Sequence, residues 1–210
     1  MKRRIWPLLL SLLFFLSGCG DAGGAAAPED TSSGQPAGED AGLSATQLEA
    51  EPRPLTVEEI LAAYYRAEEA FGWFDLTPLP DSGETVRLED TVYRRVNSPG
   101  MEDLGDLRTY LRGLFSAELT DRLLETGGSR PFYRDIDGAL YVSAPGRARD
   151  AGKGTVQVEV VRLDSRTYSL EVSVDLLDSS RSTVIGLECW SFPFAYVDGR
   201  WVFTDFRLVC

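Results

Sequence analysis

Three short stretches of this 210-residue chain carry residue types that could do chemistry. The triplet D-S-G at 81–83 matches the aspartic-protease motif, but that chemistry needs two such carboxylates sharing a proton and no second copy is present. The run D-I-D-G at 135–138 looks like the start of a calcium loop, yet the twelfth position, where an EF-hand needs glutamate, is Gly146. The G-K pair at 152–153 lacks the earlier glycine of a phosphate-binding loop. We therefore predict turns at 81–83 and 135–138 and a loop that leads into a strand at 152–155, and no catalytic or metal-binding residue.

The overall composition excludes further classes of protein. The chain has no histidine, which excludes Ser-His-Asp and Cys-His catalysis and zinc sites built on imidazole. Its 33 acidic and 21 basic residues give a formal net charge of -12, which argues against a nucleic-acid partner. We expect a protein that is not an enzyme and that needs no cofactor.

The N-terminus reads as an export signal. Basic residues at 2–4 precede an apolar stretch at 5–16 that is too short to span a bilayer. The sequence L-S-G-C at 16–19 resembles the bacterial lipobox, in which the cysteine is diacylated and becomes the mature N-terminus. This resemblance implies a signal peptide at 1–18 and a lipid anchor on Cys19, which would hold the protein on the outer face of the cell membrane.

The segment after the signal differs in composition from the rest of the chain. Residues 20–54 contain no aromatic side chain and are rich in Ala, Gly, Pro, Ser, Thr, Glu and Asp, so they cannot bury enough apolar area to fold. We predict a lipidated, disordered tether over 19–54 and one folded domain over 55–210.

The folded domain begins with predicted helices. Thr56 and Glu59 form a capping box and Leu55 supplies a hydrophobic staple, which together predict a helix over 56–71. Leucines at helical spacing over 104–114 predict a second helix, and Ser116 is expected to cap a third that ends at glycines 127–128. A β-hairpin is predicted between these helices, at 84–96.

The C-terminal half changes to strand periodicity. Apolar and polar residues alternate over 168–176, and both parities are apolar over 185–208, so those later strands are expected to be covered on both faces. The D-G pair at 198–199 predicts a tight turn. The order of elements predicts an α+β fold with N-terminal helices on a curved antiparallel sheet, like a cystatin-like or nuclear-transport-factor-like cone.

Two cysteines remain after Cys19 is set aside. Export makes a disulfide between Cys189 and Cys210 possible. Pairing across the predicted 198–199 turn would place Cys189 opposite Leu208 and make the two cysteines diagonal neighbours, at the limit of disulfide geometry. Two alternatives therefore remain: a disulfide between these cysteines, or two separate buried thiols that pack as apolar groups.

Three segments carry a family resemblance: Y-L-R-G-L-F-S-A-E-L at 110–119, Y-R-D-I-D-G-A-L-Y-V at 133–142 and D-G-R-W at 198–201. Together they resemble the IseA-like inhibitors of bacterial cell-wall DL-endopeptidases. The resemblance implies a non-enzymatic, exported protein that blocks the cleft of NlpC-type cysteine endopeptidases and so regulates peptidoglycan cleavage.

A hairpin at 132–142 is the predicted partner-binding site. Tyr133 and Tyr141 would provide contact area with the partner, and Asp135 and Asp137 would attract the hairpin to a basic cleft. The alternative is that the two tyrosines merely cover the edge of the sheet.

A competing class is a small-ligand or partner-binding module with no inhibitory role. In that class, aromatic side chains on a concave sheet would line a pocket instead of filling the core: Trp190, Phe192, Phe194, Trp201 and Phe203. A cavity lined by acidic residues would instead favour an enzyme, and a filled core with a protruding acidic loop would favour the inhibitor.

Overall fold

The structure, a computed structural model, describes residues 51–209. Its helices are α1 (Val57–Gly72), α2 (Leu104–Arg112) and α3 (Ala117–Leu124). Its strands are β1 (Asp81–Leu88), β2 (Thr91–Val96), β3 (Tyr133–Ile136), β4 (Ala139–Val142), β5 (Lys153–Arg162), β6 (Thr167–Leu177), β7 (Val184–Val197) and β8 (Arg200–Phe203). The strands form two antiparallel sheets, the first in the order β1-β2-β4-β3 and the second, strongly curled, in the order β5-β6-β7-β8.

This architecture confirms the predicted α+β class with helices and a curved antiparallel sheet. The 84–96 hairpin is present as β1 and β2, and it joins β4 and β3 in a sheet of its own. The likeness to a cystatin-like or nuclear-transport-factor-like cone stays a prediction.

The start of α1 is set by its capping box. The backbone N of Glu59 donates to Thr56 Oγ1 at 3.2 Å, and the backbone N of Thr56 donates to Glu59 Oε2 at 2.9 Å. The backbone N of Leu55 donates to the hydroxyl of Tyr168 on β6 at 3.0 Å. Local capping thus starts the helix, and a long-range hydrogen bond ties that start to the second sheet.

The third helix is shorter than predicted. Ser116 caps α3 as expected, because Leu119 N donates to its Oγ at 3.3 Å, but the helix ends at Leu124 and not at the glycines. Gly127 lies in the turn after the helix, with φ near +97°, and a Cβ there would come within 2.3 Å of the carbonyl oxygen of Arg130. The glycine is needed for that close approach.

The core lies between α1 and the concave face of the second sheet. The predicted alternation in β6 is confirmed, since every second residue from Tyr168 to Val174 is buried on that face. Phe206, from the segment after β8, packs its ring 4.8 Å from Phe192 and 5.7 Å from Tyr64. These rings join α1, β7 and the C-terminal segment in one cluster.

The prediction that 185–208 is covered on both faces is wrong for the first half of β7. Val184, Ile185 and Leu187 are 55%, 68% and 58% exposed. The physical reason is that the exposed residues at 185, 187, 189 and 191 alternate with half-buried ones, so they share one face of the strand and no layer of the described chain covers that face.

The short β8 overturns the predicted pairing of Cys189 with Leu208. Pairing stops at Phe194 and Phe203, so Leu208 lies beyond the sheet. Cys189 is exposed, and Cys210 lies outside the described residues. The disulfide therefore stays a prediction.

The signal peptide, Cys19 and most of the tether also lie outside the described residues. Two of the last four tether residues contact the domain: Arg53 forms a bidentate ion pair with Glu59, and Glu51 Oε1 accepts from Ser165 Oγ at 3.2 Å. Within 51–209 none of the helices is long and apolar enough to cross a bilayer.

Candidate functional site

The predicted hairpin at 132–142 is formed by β3 and β4. Asp137 and Gly138 have φ near +53° and +78°, which is the left-handed pair that a type I′ turn requires. The carboxylate of Asp135 accepts a hydrogen bond from the backbone N of Gly138 at 2.9 Å and so closes the turn. Asp135 and Asp137 are both exposed. We call the segment 135–138 the acidic tip.

The expectation that Tyr133 is exposed for contact with a partner is wrong. Only 1% of the residue is exposed, and its ring packs edge-to-face on Phe74 at 5.0 Å. Its hydroxyl accepts from the backbone N of Leu79 at 3.0 Å and donates to the carbonyl of Trp73 at 3.1 Å. Burial raises the pKa of this phenol far above its usual value. Tyr133 therefore anchors the hairpin to the segment after α1.

Tyr141 is also buried, at 5% exposure. It lies on β4, which the strand order places inside the first sheet between β2 and β3. Its hydroxyl donates to Glu84 at 3.2 Å, and Arg95 donates to the other oxygen of the same carboxylate at 3.2 Å. Burial, and then the hydrogen bond to Glu84, raise the pKa of Tyr141. Of the four predicted partner-binding residues, only the two aspartates are exposed.

A backbone hydrogen bond to the segment before α2 also holds the base of the acidic tip. The backbone N of Leu140, three residues after Asp137, donates to the carbonyl of Glu102 at 2.8 Å. Leu140 is itself buried. The hairpin is therefore fixed by Tyr133 toward α1 and by Leu140 toward the segment before α2.

The concave face of the second sheet is filled by side chains. Phe192, Phe194 and Phe203 are buried in the aromatic cluster, while Trp190 and Trp201 are half-buried against it. Core packing is therefore correct for Phe192 and Phe203, whereas Phe194 and Trp201 also line an open pocket of about 620 Å³ beside α1, and Trp190 lines a smaller one of about 270 Å³.

An open groove of about 660 Å³ lies beside the second half of α1, and the sequence reasoning missed it. Tyr65, which is 57% exposed, Glu69 and Trp73 line it from the α1 side. Two salt bridges close its other side: Arg147 holds Asp75 through two hydrogen bonds of 2.8 and 2.5 Å, and Arg149 donates to Glu68 at 3.3 Å. Segments about seventy residues apart build this groove, so no local sequence pattern marks it.

The aromatic wall of the groove continues beneath α1. The ring of Trp73 lies 5.3 Å from that of Tyr110 on α2. Burial, and then the nearby carboxylate of Glu69, raise the pKa of Tyr110. In the part of the chain that the structure describes, the acidic and cysteine side chains form no cluster of three or more able to hold a metal ion.

Comparison with known proteins assigns no family to this geometry, because none of the protein-family models matches the chain and no curated protein is significantly similar to it.

Proposed function

We propose that this protein is a lipid-anchored, extracytoplasmic inhibitor of cell-wall DL-endopeptidases. In this proposal the acidic tip docks at the basic rim of the active-site cleft of an NlpC-type cysteine endopeptidase and keeps peptidoglycan out. The observation that carries it is the exposed pair Asp135 and Asp137 at the end of a hairpin whose base is buried.

The rigidity of the hairpin favours inhibition. Hydrogen bonds from Tyr133 and Leu140 hold its base, and Asp135 closes its turn. A binding loop that is already ordered loses little conformational entropy when it docks, so more of the contact energy appears as affinity.

The charge of the tip favours a basic partner. Arg95, a cation on the same sheet, is paired with Glu84. Arg134 directly precedes Asp135 on β3, and because neighbouring side chains of a strand alternate, it lies on the opposite face from Asp135. Exposed carboxylates of this kind accelerate encounter with a positively charged rim and penalise an acidic one. The tip therefore combines two exposed negative charges with a fixed backbone shape.

The proposed anchor places the domain where such enzymes act. Residues 19–50 could span up to about 100 Å when extended. The described chain begins beside Ser165, at the turn between β5 and β6. An acylated Cys19 with this tether would hold the domain on the outer membrane face while allowing it to reach into the cell wall.

The inhibitor proposal is tested with the purified full chain in a DL-endopeptidase assay on peptidoglycan. The informative variant is Asp135→Asn with Asp137→Asn. Asparagine keeps an oxygen that accepts from Gly138 N and tolerates the left-handed backbone, so the turn persists while two charges are lost. We expect wild type to slow cleavage at micromolar excess and the double variant to need at least about tenfold more protein.

The matched control is Glu89→Gln with Asp90→Asn. These acids occupy the β1–β2 turn, and the pairing of Arg94 with Val142 puts that turn at the opposite end of the same sheet. The control changes the net charge equally and should inhibit like wild type. No inhibition by wild type refutes the function, whereas equal inhibition by both double variants refutes the tip as the docking site.

The anchor has its own test. Changing Cys19 to Ala should move the protein from the membrane fraction to the soluble fraction or block its processing. Normal processing with full membrane retention would contradict lipidation at Cys19.

The groove beside α1 favours a second candidate function, a small-ligand-binding module. Exposed aromatic rings next to paired charges are typical of sites that bind polar organic molecules. Titration of soluble muropeptides while following tryptophan fluorescence tests this candidate. Saturable quenching that disappears in Trp73→Phe but persists in Trp201→Phe would favour it, and no change in wild type would refute it.

A further inference from the structure

The first half of β7 has an unpaired edge. β7 pairs with β6 from Val184 to Ala195, but β8 covers its other side only over Phe194–Val197. The backbone N of Thr204 donates to the carbonyl of Pro193 at 3.1 Å, and the chain then leaves the sheet. Within 51–209, residues 184–191 have no backbone hydrogen bond on that side.

Backbone N–H and C=O groups point alternately to the two sides of β7, and this alternation shows which of them lie on the open edge. Val197 pairs with Arg200 across a two-residue turn, so its backbone N–H and C=O point toward β8. Tyr196, one residue earlier, points the other way and donates to the carbonyl of Arg166. Counting back in steps of two, the same orientation applies to Ser191, Cys189 and Leu187, and the count stops at Ile185 because the β6–β7 register shifts there. Their N–H and C=O groups therefore face solvent along the open edge.

The side chains of this edge are unusual for a surface strand. Edge strands are normally protected by charges, prolines or bulges, because unpaired backbone groups recruit other strands. Here Ile185 and Leu187 are more than half exposed. The one charged residue within 184–191, Glu188, is neutralised by an ion pair with Lys153, and the first proline is Pro193. The register shift at Ile185 interrupts only the start of the strand and leaves 186–191 regular.

We infer that this edge pairs with the same edge of a second copy of this chain, joining the two curled sheets into one across a twofold axis. An antiparallel pair of identical strands satisfies its own hydrogen bonds, so the edge is complementary to itself. Copies with a net charge of -12 repel each other, but this strand brings no unpaired charge of its own to the contact, while Glu171 and Asp175 lie one strand behind it on β6. Leu187 lies near the centre of the open edge and would be covered by the second copy.

The decisive variant is Leu187→Pro. The N–H of Leu187 faces the open edge, so proline there removes no hydrogen bond to β6 and is compatible with an edge position. In a dimer it removes one ladder hydrogen bond from each copy at the centre of the interface. Sedimentation velocity of the full chain over a concentration series should show a monomer–dimer equilibrium for wild type. We expect the dissociation constant of Leu187→Pro to rise about tenfold or more.

Two controls test whether the effect belongs to this edge. Leu163→Lys changes another exposed leucine, 61% exposed at the β5–β6 turn, and should leave the dimer unchanged. Far-ultraviolet circular dichroism and the melting temperature of Leu187→Pro should match those of wild type. If that variant does not fold, Leu187→Lys supplies the same comparison by placing two like charges near each other across the paired strands.

The following outcomes would overturn the inference. A monomeric wild type at all concentrations does so, as does a dimer that Leu187→Pro or Leu187→Lys leaves intact. A dimer that disappears on reduction and in Cys189→Ser would be a disulfide cross-link. A monomer that dimerises only after deletion of residues 20–50 would assign the edge to the chain's own tether.

Discussion

The two sheets of this protein differ in the residues that lie on their exposed edges. In the first sheet, the edge strand β3 exposes Arg134 and Asp135, and β1 begins with Asp81, whose carboxylate lies 2.9 Å from Arg94. In the second sheet, the first half of β7 exposes Ile185 and Leu187 and no unpaired charge. Charged edges resist pairing with other strands, and apolar ones invite it. The comparison separates a sheet whose exposed edge and tip are polar from a sheet whose open edge is apolar.

The outer edge of β8 in the second sheet is, by contrast, covered. The outer edge of β8 is bonded to the turn between α2 and α3: Phe203 N donates to Leu114 O, and Ser116 N donates to Phe203 O, each at 2.9 Å. One edge of this sheet is thus satisfied within the chain, while the open half of β7 is not.

The two sheets also differ in what holds them to the rest of the domain. The second sheet is held by packed rings, chiefly Phe192, Phe206 and Tyr64. The first is held largely by buried phenol hydroxyls that bond to backbone: Tyr133 to Leu79 and Trp73, and Tyr93 to the carbonyl of Pro131 at 3.1 Å. Losing a ring should therefore cost more free energy of unfolding than losing a hydroxyl.

The largest effect is expected from Phe192→Ala in the second sheet. Phe192 is 1% exposed, and removing its ring leaves a cavity between α1 and β7. The free energy of unfolding should fall by about 3–5 kcal/mol, as measured by urea denaturation. Phe192→Leu, which fills part of the cavity, serves as the control and should lose less. A loss below about 1 kcal/mol for the alanine variant would mean that this cluster does not carry the core.

The corresponding change in the first sheet is Tyr133→Phe. It keeps the ring but leaves the N–H of Leu79 and the carbonyl of Trp73 without their partner. We expect a loss of about 1–3 kcal/mol in the same denaturation experiment. Tyr141→Phe is the matched control, and it should cost less because its partner Glu84 is exposed and can bond to water. Equal losses for the two variants would refute the anchoring role of Tyr133.

Thr56→Ala should have a smaller effect that is local to the second sheet. It removes the hydroxyl that caps α1 at Glu59 N, which costs about 1 kcal/mol. Because Leu55 is bonded to Tyr168 on β6, amide hydrogen exchange should rise in α1 and β6 more than in β3 and β4. Thr56→Ser keeps the cap and should behave like wild type. A uniform rise across both sheets would argue against this coupling.

The smallest expected effect is a change in acid sensitivity. The hydrogen bond from Arg53, and then that from Thr56 N, lower the pKa of Glu59 from 4.5 to about 2. A lowered folded-state pKa means that the stabilisation is complete above pH 4.5 and is lost as the pH falls toward 2. Glu59→Gln keeps a capping acceptor but cannot titrate, so its melting temperature should fall less steeply over this range.

Glu58→Gln removes one charge from the same turn of α1 and is the control for that experiment. It should keep the acid dependence of wild type. Parallel curves for Glu59→Gln and wild type would contradict the assignment to Glu59. The effect is small because the Arg53–Glu59 pair is exposed to solvent.

Features that depend on neighbours in the chain could be predicted from the sequence. The capping box at Thr56 and Glu59 requires a spacing of three residues, and the turn at 137–138 requires two residues that tolerate left-handed backbone. Both are present as predicted. The buried alternation in β6 is also as predicted, because one side of a strand beneath a helix must be apolar.

Features that depend on distant segments could not be predicted in this way. Tyr133 is buried because α1 ends above it and the segment at 79 lies against its hydroxyl, more than fifty residues away in sequence. Its residue type favours exposed recognition and buried anchoring equally well. The groove beside α1 arises from the same kind of contact, between Arg147 and Asp75.

The sequence alone thus determined the order of helices and strands, the start of α1 and the acidic turn at 135–138, because local spacing and backbone preference decide these. The tertiary structure alone decided that the two aspartates are exposed while Tyr133 and Tyr141 are buried. It also decided that Ile185 and Leu187 line an open edge, although their apolar pattern is indistinguishable from that of a buried strand. The physical reason is that burial depends on which distant segments pack on each face of a sheet, while the open edge depends on the length of the neighbouring strand, here β8.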